Sequence, residues 1–257
     1  MKYCRGLLVF LLGVSLLYAG EPWKSKAPAK WDKDDVAAIL QDSPWGKVIT
    51  TGYTAVREQD KTASGGERGS TSPFDAQGGA AKQSSEFARV IWWSAHTPRR
   101  AMIRQIELGG FQVGPEQAQK FSEAAMEDHV ITIEDNMARM RAAEKLTPEQ
   151  LKEAAWLEIP SQKRKIACVD AGVVKDAKGQ IERIRFHFPR QVDGQPLIKS
   201  DEKKIIFKWK LPTLAGGGAP GKAKTEQPPA EVKLGEAKQF EASFEPKKMM
   251  VNGELDI

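Results

Sequence analysis

Cysteine is nearly missing from this chain: 257 residues hold two, Cys4 and Cys168. Cys4 precedes the N-terminal apolar run and Cys168 follows it, so a chain cleaved between them has no internal disulfide and must hold by its core. Histidine is also scarce. His96, His129 and His187 lie far apart and lack the close HxxxH or CxxC partners of a zinc site, so no metal is expected. No apolar run is long enough to span a bilayer as a helix. A GxSxG elbow, a phosphate loop and a dinucleotide fingerprint are all lacking, and Gly216-Gly217-Gly218 follows no βα unit. These absences leave no catalytic residue and no cofactor to name.

Residues 1–20 carry Lys2 and Arg5, an apolar run from Leu7 to Leu17, and then Ala19 and Gly20. That order predicts a signal peptide and an exported protein, periplasmic or extracellular. Cys4 precedes the run and so is no acylation site. Cleavage lowers the formal net charge from +5 to +3 by removing Lys2 and Arg5. The remainder has no charge excess that points to nucleic acid, and no membrane span is expected after cleavage. Residues 21–30 read as a polar spacer.

The rest is organised around residues 87–110. Phe87, Ile91, Trp93 and Ala95 alternate with Ala88, Val90 and Trp92, so both faces of this strand are apolar and both must be covered. Thr97-Pro98 then opens a helix with Thr97 as N-cap; Met102, Ile103 and Ile106 form its stripe, and Gly109-Gly110 closes it.

Ahead of that unit, Asp32 caps a helix over 31–45 with Asp34 and Asp35 in its first turn, and Trp45 is a core anchor. Residues 47–57 form a β-branched strand. Behind it come a helix over 115–127, a short strand at 129–133, a helix over 136–144, and a capping box at Thr147 that opens a helix ending near Trp156.

From Lys165 the pattern turns β. Strands at 166–175 and 181–188 flank the turn Asp176–Gly179, and strands at 203–211 and 240–245 follow, with Asp193-Gly194 and Asn252-Gly253 as tight turns. Phe240, Ala242 and Phe244 match the aromatic face of 203–211, while Glu241 and Glu245 match its lysines, so these two strands should pair.

Residues 58–85 and 213–236 are Gly-, Ser-, Pro- and charge-rich and read as disordered insertions. The expected architecture is a single α+β domain over 31–257. It has a helix-rich N-terminal half around the central strand-helix unit and an antiparallel β meander in the C-terminal half.

Few residues offer chemistry. Ser94 and His96 share a strand face without an elbow. Cys168 reads as a small buried hydrophobe. Glu123, Glu127, Asp128, Glu134 and Asp135 read as solvated acids. Arg183, Arg185, Lys204, Lys208 and Lys210 form one basic side of a sheet, but the aromatics point the other way, unlike a nucleic-acid platform. His96, Arg99 and Arg100 stand at a helix start, where acids are favoured and anions bind. They are the candidate ligand site, for a weakly held anion.

The SPW at 43–45, the strand RVIWWSA and the ending FEASFEPKKMMVNGELDI resemble small exported bacterial proteins of unassigned function. The resemblance implies export and one α+β unit, and carries no catalytic residues. The expected function is that of an exported, non-catalytic binding or accessory protein whose partner is another protein or a small anionic ligand. A hydrolase using His96 or His129 as base, and a cell-envelope structural protein, are the alternatives.

Overall fold

Trp92 and the adjacent Trp93 enter different cores on opposite sides of one antiparallel sheet. The computed structural model describes residues 20–56, 82–135, 137–213 and 234–257. The expected leader apart from Gly20, and the central parts of the two expected insertions (58–81 and 214–233), lie outside the described residues.

In chain order the α-helices and strands are α1 (Pro22–Ser25), α2 (Lys33–Gln41), β1 (Gly46–Val56), β2 (Lys82–Trp92), α3 (His96–Leu108), α4 (Pro115–Glu123), β3 (Asp128–Glu134), α5 (Met137–Ala143), α6 (Pro148–Glu153), β4 (Ala155–Ile159), β5 (Arg164–Ala167), β6 (Asp170–Lys175), β7 (Ile181–Pro189), β8 (Gln191–Val192), β9 (Gln195–Pro196), β10 (Ile205–Leu211), β11 (Lys238–Phe244), β12 (Met250–Val251) and β13 (Glu254–Leu255). Among the described residues no helix is long and apolar enough to cross a membrane.

Two larger sheets form, in the orders β1-β2-β3-β7-β6 and β11-β10-β4-β5. The chain is α+β, but the expected division into a helix-rich first half and a β meander in the second is wrong. The first half supplies three strands of the five-stranded sheet, because 46–56 pairs antiparallel along its length with 82–92. Part of the expected first insertion is strand, since Lys82 to Ser85 pair with Tyr53 to Val56. The second half is not one meander either. Its strands divide between the two sheets, and the expected strand 166–175 breaks at Cys168-Val169 to pass from β5 in one sheet to β6 in the other. The helix expected to end near Trp156 stops at Glu153, and Trp156 lies in β4, between β5 and β10.

The sheets pack face to face. Val90, Trp92, Ile131, Ile184, Phe186 and Phe188 from one meet Leu157, Phe207, Trp209 and Phe244 from the other in a continuous core. The rings of Phe186 and Phe188 stand 5.8 and 6.0 Å from that of Phe207, and Trp92 meets Phe244 edge to face at 5.2 Å. Each such fully buried side chain contributes roughly 1.5–3 kcal/mol. The expected pairing of 203–211 with the last long strand is present, with Lys208 opposite Glu241 and Phe207 opposite Ala242.

The other face of the five-stranded sheet is covered by α2 and α3. Val36, Ile39 and Leu40 from α2 and Ala101 from α3 close over Ile91, Trp93 and Val130. Asp32 caps α2 as expected, in a capping box with Asp35. The turn from α2 into β1 is so close that a Cβ on Gly46 would fall 2.5 Å from the Leu40 carbonyl carbon. Phe87 departs from the expected alternation and is 53% exposed, because α2 and α3 do not reach its end of β2. The expected spacer 21–30 instead contains α1, and its Trp23 stacks edge to face on Trp45 at 5.5 Å.

Candidate functional site

Helix α3 begins at His96, two residues earlier than expected, with Ala95 rather than Thr97 as N-cap. Alanine offers no side-chain acceptor, so the first N–H groups need one from elsewhere. Asp256 supplies it. Its carboxylate accepts from the His96 N–H at 2.6 Å and the Thr97 N–H at 2.9 Å, and lies 3.1 Å from His96 Nδ1. Local structure delivers Asp256 there: Asn252 and Gly253 adopt positive φ to turn β12 into β13, the Asp256 N–H donates to Met249 O, and Trp45 Nε1 donates to Asp256 O at 2.6 Å. Sequence spacing gave no sign of this acid, 160 positions from its partner.

Arg99, one of the three residues expected to bind an anion, is 1% exposed. Its guanidinium donates to Ala95 O, Ser94 O, Phe121 O and Ala124 O. Arg100 is paired with Glu123, at 2.8 and 2.9 Å. That pairing draws the Glu123 carboxyl below its usual range and Arg100 above its own. His96, Arg99 and Arg100 are thus brought together at one helix start, each engaged with protein groups. An external anion on these N–H groups would have to displace the Asp256 carboxylate.

These contacts build the wall of a neighbouring concavity. Arg99 fixes the end of α4 through Phe121 O and Ala124 O, while Arg190 donates to Met126 O at 2.8 Å and to Ile257 O at 3.0 Å. The segment between α4 and β3 is therefore clamped from both sides. It closes a pocket of about 270 Å³ lined by Trp93, Met126, Glu127, Asp128, Val130, Arg185 and His187. The strand register explains the set. Val130 and Thr132 on β3 stand opposite His187 and Arg185 on β7, on the sheet face that carries Trp93.

His187 Nδ1 lies 3.3 Å from Asp128 Oδ2. Arg185 is exposed and has no acidic partner within 4 Å among the described residues. Arg183 stacks on the Trp93 ring at 4.6 Å, and Phe121 meets that ring edge to face at 5.9 Å. Beside the pocket, Thr132 Oγ1 and Arg183 Nε are buried without a hydrogen-bond partner among the described residues. A polar group left so costs about 1–3 kcal/mol.

The remaining candidates are committed to packing. His129 is 2% exposed, with its ring against Trp92, and burial, assisted by the charge of Arg190, pushes its pKa down to about 3. Cys168 is buried and donates to Asp170 O; burial pushes its thiol up to about 11, away from thiolate chemistry. The Ser94 hydroxyl is buried and has no hydrogen-bond partner among the described residues. Glu134 pairs with Arg89, and Asp135 with Arg139 at 2.7 Å. Among the described residues no group of three His, Cys, Asp or Glu side chains is placed to hold a metal ion.

The expected single basic sheet face does not form. Arg183 and Arg185 lie on the five-stranded sheet, Lys208 and Lys210 on the other, and Lys204 just before β10. Alternation on 181–188 did mark Arg185 and His187 as outward, and parity separated Trp93 from Trp92. Only the pairings of β2 with β3 and of β3 with β7 bring the three together.

Comparison with protein families, with curated proteins and with solved structures finds no match to this chain.

Proposed function

We propose that the chain is an exported, non-catalytic binding protein whose pocket between Trp93, Arg185 and His187 takes a small carboxylate with an apolar body. The observation that carries this reading is Arg185, a cation with no acidic partner within 4 Å among the described residues, at the mouth of a concavity walled by Trp93, Met126 and Val130; of the two acids that also line it, Asp128 is engaged by His187 and Glu127 is the other. A guanidinium receives a carboxylate through two parallel N–H donors, and the apolar wall receives the rest. A volume of about 270 Å³ suits a metabolite-sized ligand rather than a polymer. Two arginines that donate to backbone carbonyls clamp the segment holding Met126, so the pocket exists before any ligand arrives. Export is carried by the pattern of residues 1–20 alone.

Calorimetry with benzoate and hexanoate against the wild type and Arg185→Ala tests the reading. Binding that weakens in the variant is expected. Equal binding by both proteins, or none by the wild type, overturns it.

One observation favours a second reading, a hydrolase. His96 Nδ1 lies 3.1 Å from Asp256 Oδ1, the acid–base half of a triad; Ser94, two residues away in sequence, is buried and makes no hydrogen bond to His96, so it would have to turn toward the ring to serve as nucleophile. A p-nitrophenyl ester assay distinguishes the two: turnover abolished by Ser94→Ala supports the hydrolase, and the absence of turnover leaves binding.

A further inference from the structure

Glu202 is a buried carboxylate that neutral donors hold. It accepts from Ser161 Oγ, from Gln162 Nε2 at 3.1 Å and from the Lys203 N–H at 3.2 Å. Gln162 Nε2 also donates to Leu197 O at 3.3 Å, and Leu197 and Ile198 are anchored in the core between the sheets. This network ties three pieces of chain at one end of the sandwich: the turn at 160–162 after β4, the chain following the β8–β9 hairpin, and residues 199–204 leading into β10. Between them lies an open cleft of about 720 Å³. Because Glu202 and Gln162 lock its floor, the cleft is a formed feature.

Its rim is basic. Arg164, Lys199, Lys203 and Lys204 all line it and all are exposed. Arg164 reaches Asp193 at 3.3 Å, an exposed pair that offsets little of its charge. Lys199, Lys203 and Lys204 have no acidic partner within 4 Å among the described residues. Asp201 is the exposed acid on the same rim. Like charges held around one concavity repel and raise the local concentration of anions. The cleft is open rather than enclosed and four exposed cations line it, so the charge suits several anionic groups of one ligand more than a single ion.

The lining also selects among polyanions. It contains no aromatic side chain on which a nucleobase could stack. It does contain the amides of Gln162 and Gln195 and the hydroxyl of Ser161, which suit a hydroxyl-rich ligand.

We propose that this cleft is a second binding site, and that it holds an acidic polysaccharide, with carboxylates on Lys199, Lys203, Lys204 and Arg164 and hydroxyls on Gln162 and Gln195. The site is separate from the Trp93 pocket and does not depend on it.

The test is calorimetry of the full chain with polygalacturonate, with neutral dextran and single-stranded oligonucleotide as comparison polymers. The wild type should bind polygalacturonate, more weakly as salt rises, and should not bind dextran. Substituting Lys199, Lys203 and Lys204 together by alanine should weaken binding by roughly tenfold at moderate salt, the loss expected for three ionic contacts. A control with Lys145, Lys178 and Lys247 changed to alanine removes the same charge elsewhere and should bind as the wild type does. All six lysines are exposed, so both proteins should melt with the wild type, which calorimetric scanning verifies. Failure of the wild type to bind polygalacturonate overturns the proposal. So does equal weakening in the two variants, which would reflect net charge alone, or tighter binding of the oligonucleotide than of the polysaccharide.

Discussion

Asp256 Oδ1 accepts the backbone N–H of His96 at 2.6 Å across 160 positions of sequence. A residue near one end of the chain thus completes a helix that starts in the middle of it. The same carboxylate takes the Thr97 N–H, and the Asp256 carbonyl takes Trp45 Nε1. Three distant segments meet at one side chain and its backbone.

Asp256→Ala should therefore destabilise the whole fold and not merely fray one helix. Caps contribute about 0.5–2 kcal/mol, and buried N–H groups left without a partner push this one to the top of that range. Thermal melting is the measurement. A loss of under about 0.5 kcal/mol would mean that another acceptor takes the helix start.

Arg99 and Arg100 are neighbours in sequence with opposite roles. Arg99→Lys keeps the charge but cannot reach the four carbonyls that its fork now serves, and should cost roughly 3 kcal/mol or more. Arg100→Ala breaks a partly exposed pair with Glu123 and should cost under about 1 kcal/mol. Urea titration of the two variants measures the contrast. Similar midpoints would contradict the division of labour.

Gly46 needs its missing side chain. Gly46→Ala places a methyl 2.5 Å from the Leu40 carbonyl carbon and 2.6 Å from its oxygen, both backbone atoms that cannot swing aside. Separating α2 from β1 should cost about 1–3 kcal/mol. A melting temperature equal to that of the wild type would show that the turn yields freely.

His129 should make stability depend on pH. Its folded pKa, about 3, lies below the ordinary value of 6.5, so below pH 6.5 the unfolded chain binds a proton that the folded chain refuses. The neutral ring's contribution is complete above pH 6.5 and is lost as pH falls toward 3, by up to roughly 1.4 kcal/mol per pH unit. His129→Gln should flatten this slope between pH 6.5 and 4. Parallel curves for the two proteins would place the proton uptake elsewhere.

Local signals in the sequence were read correctly where the deciding interaction is local. Asp32 and Thr147 cap their helices as predicted, Thr147 through the predicted box with Gln150, and Asn252-Gly253 turns the chain. Parity separated Trp92 from Trp93. What the sequence could not disclose was partition. Period-two alternation is the same for strands of either sheet, so Arg185 and Lys208 read as one basic face although different sheets carry them. The Gly- and Ser-rich residues before Phe87 look unstructured by composition, yet 82–85 complete the hairpin with β1 because the backbone pairs whatever the side chains are. Asp256, one of two acids in the last four residues, carries no local mark of its role as a cap.

The central claim is that Trp93, Arg185 and His187 form one ligand pocket. Two-dimensional NMR of labelled protein during a benzoate titration tests it most directly. Shifts should gather on the Trp93 indole, on residues 126–130 and on Arg185 and His187, and vanish in Arg185→Ala. An unperturbed spectrum, or shifts confined to residues 199–204 at the far cleft, would contradict the account.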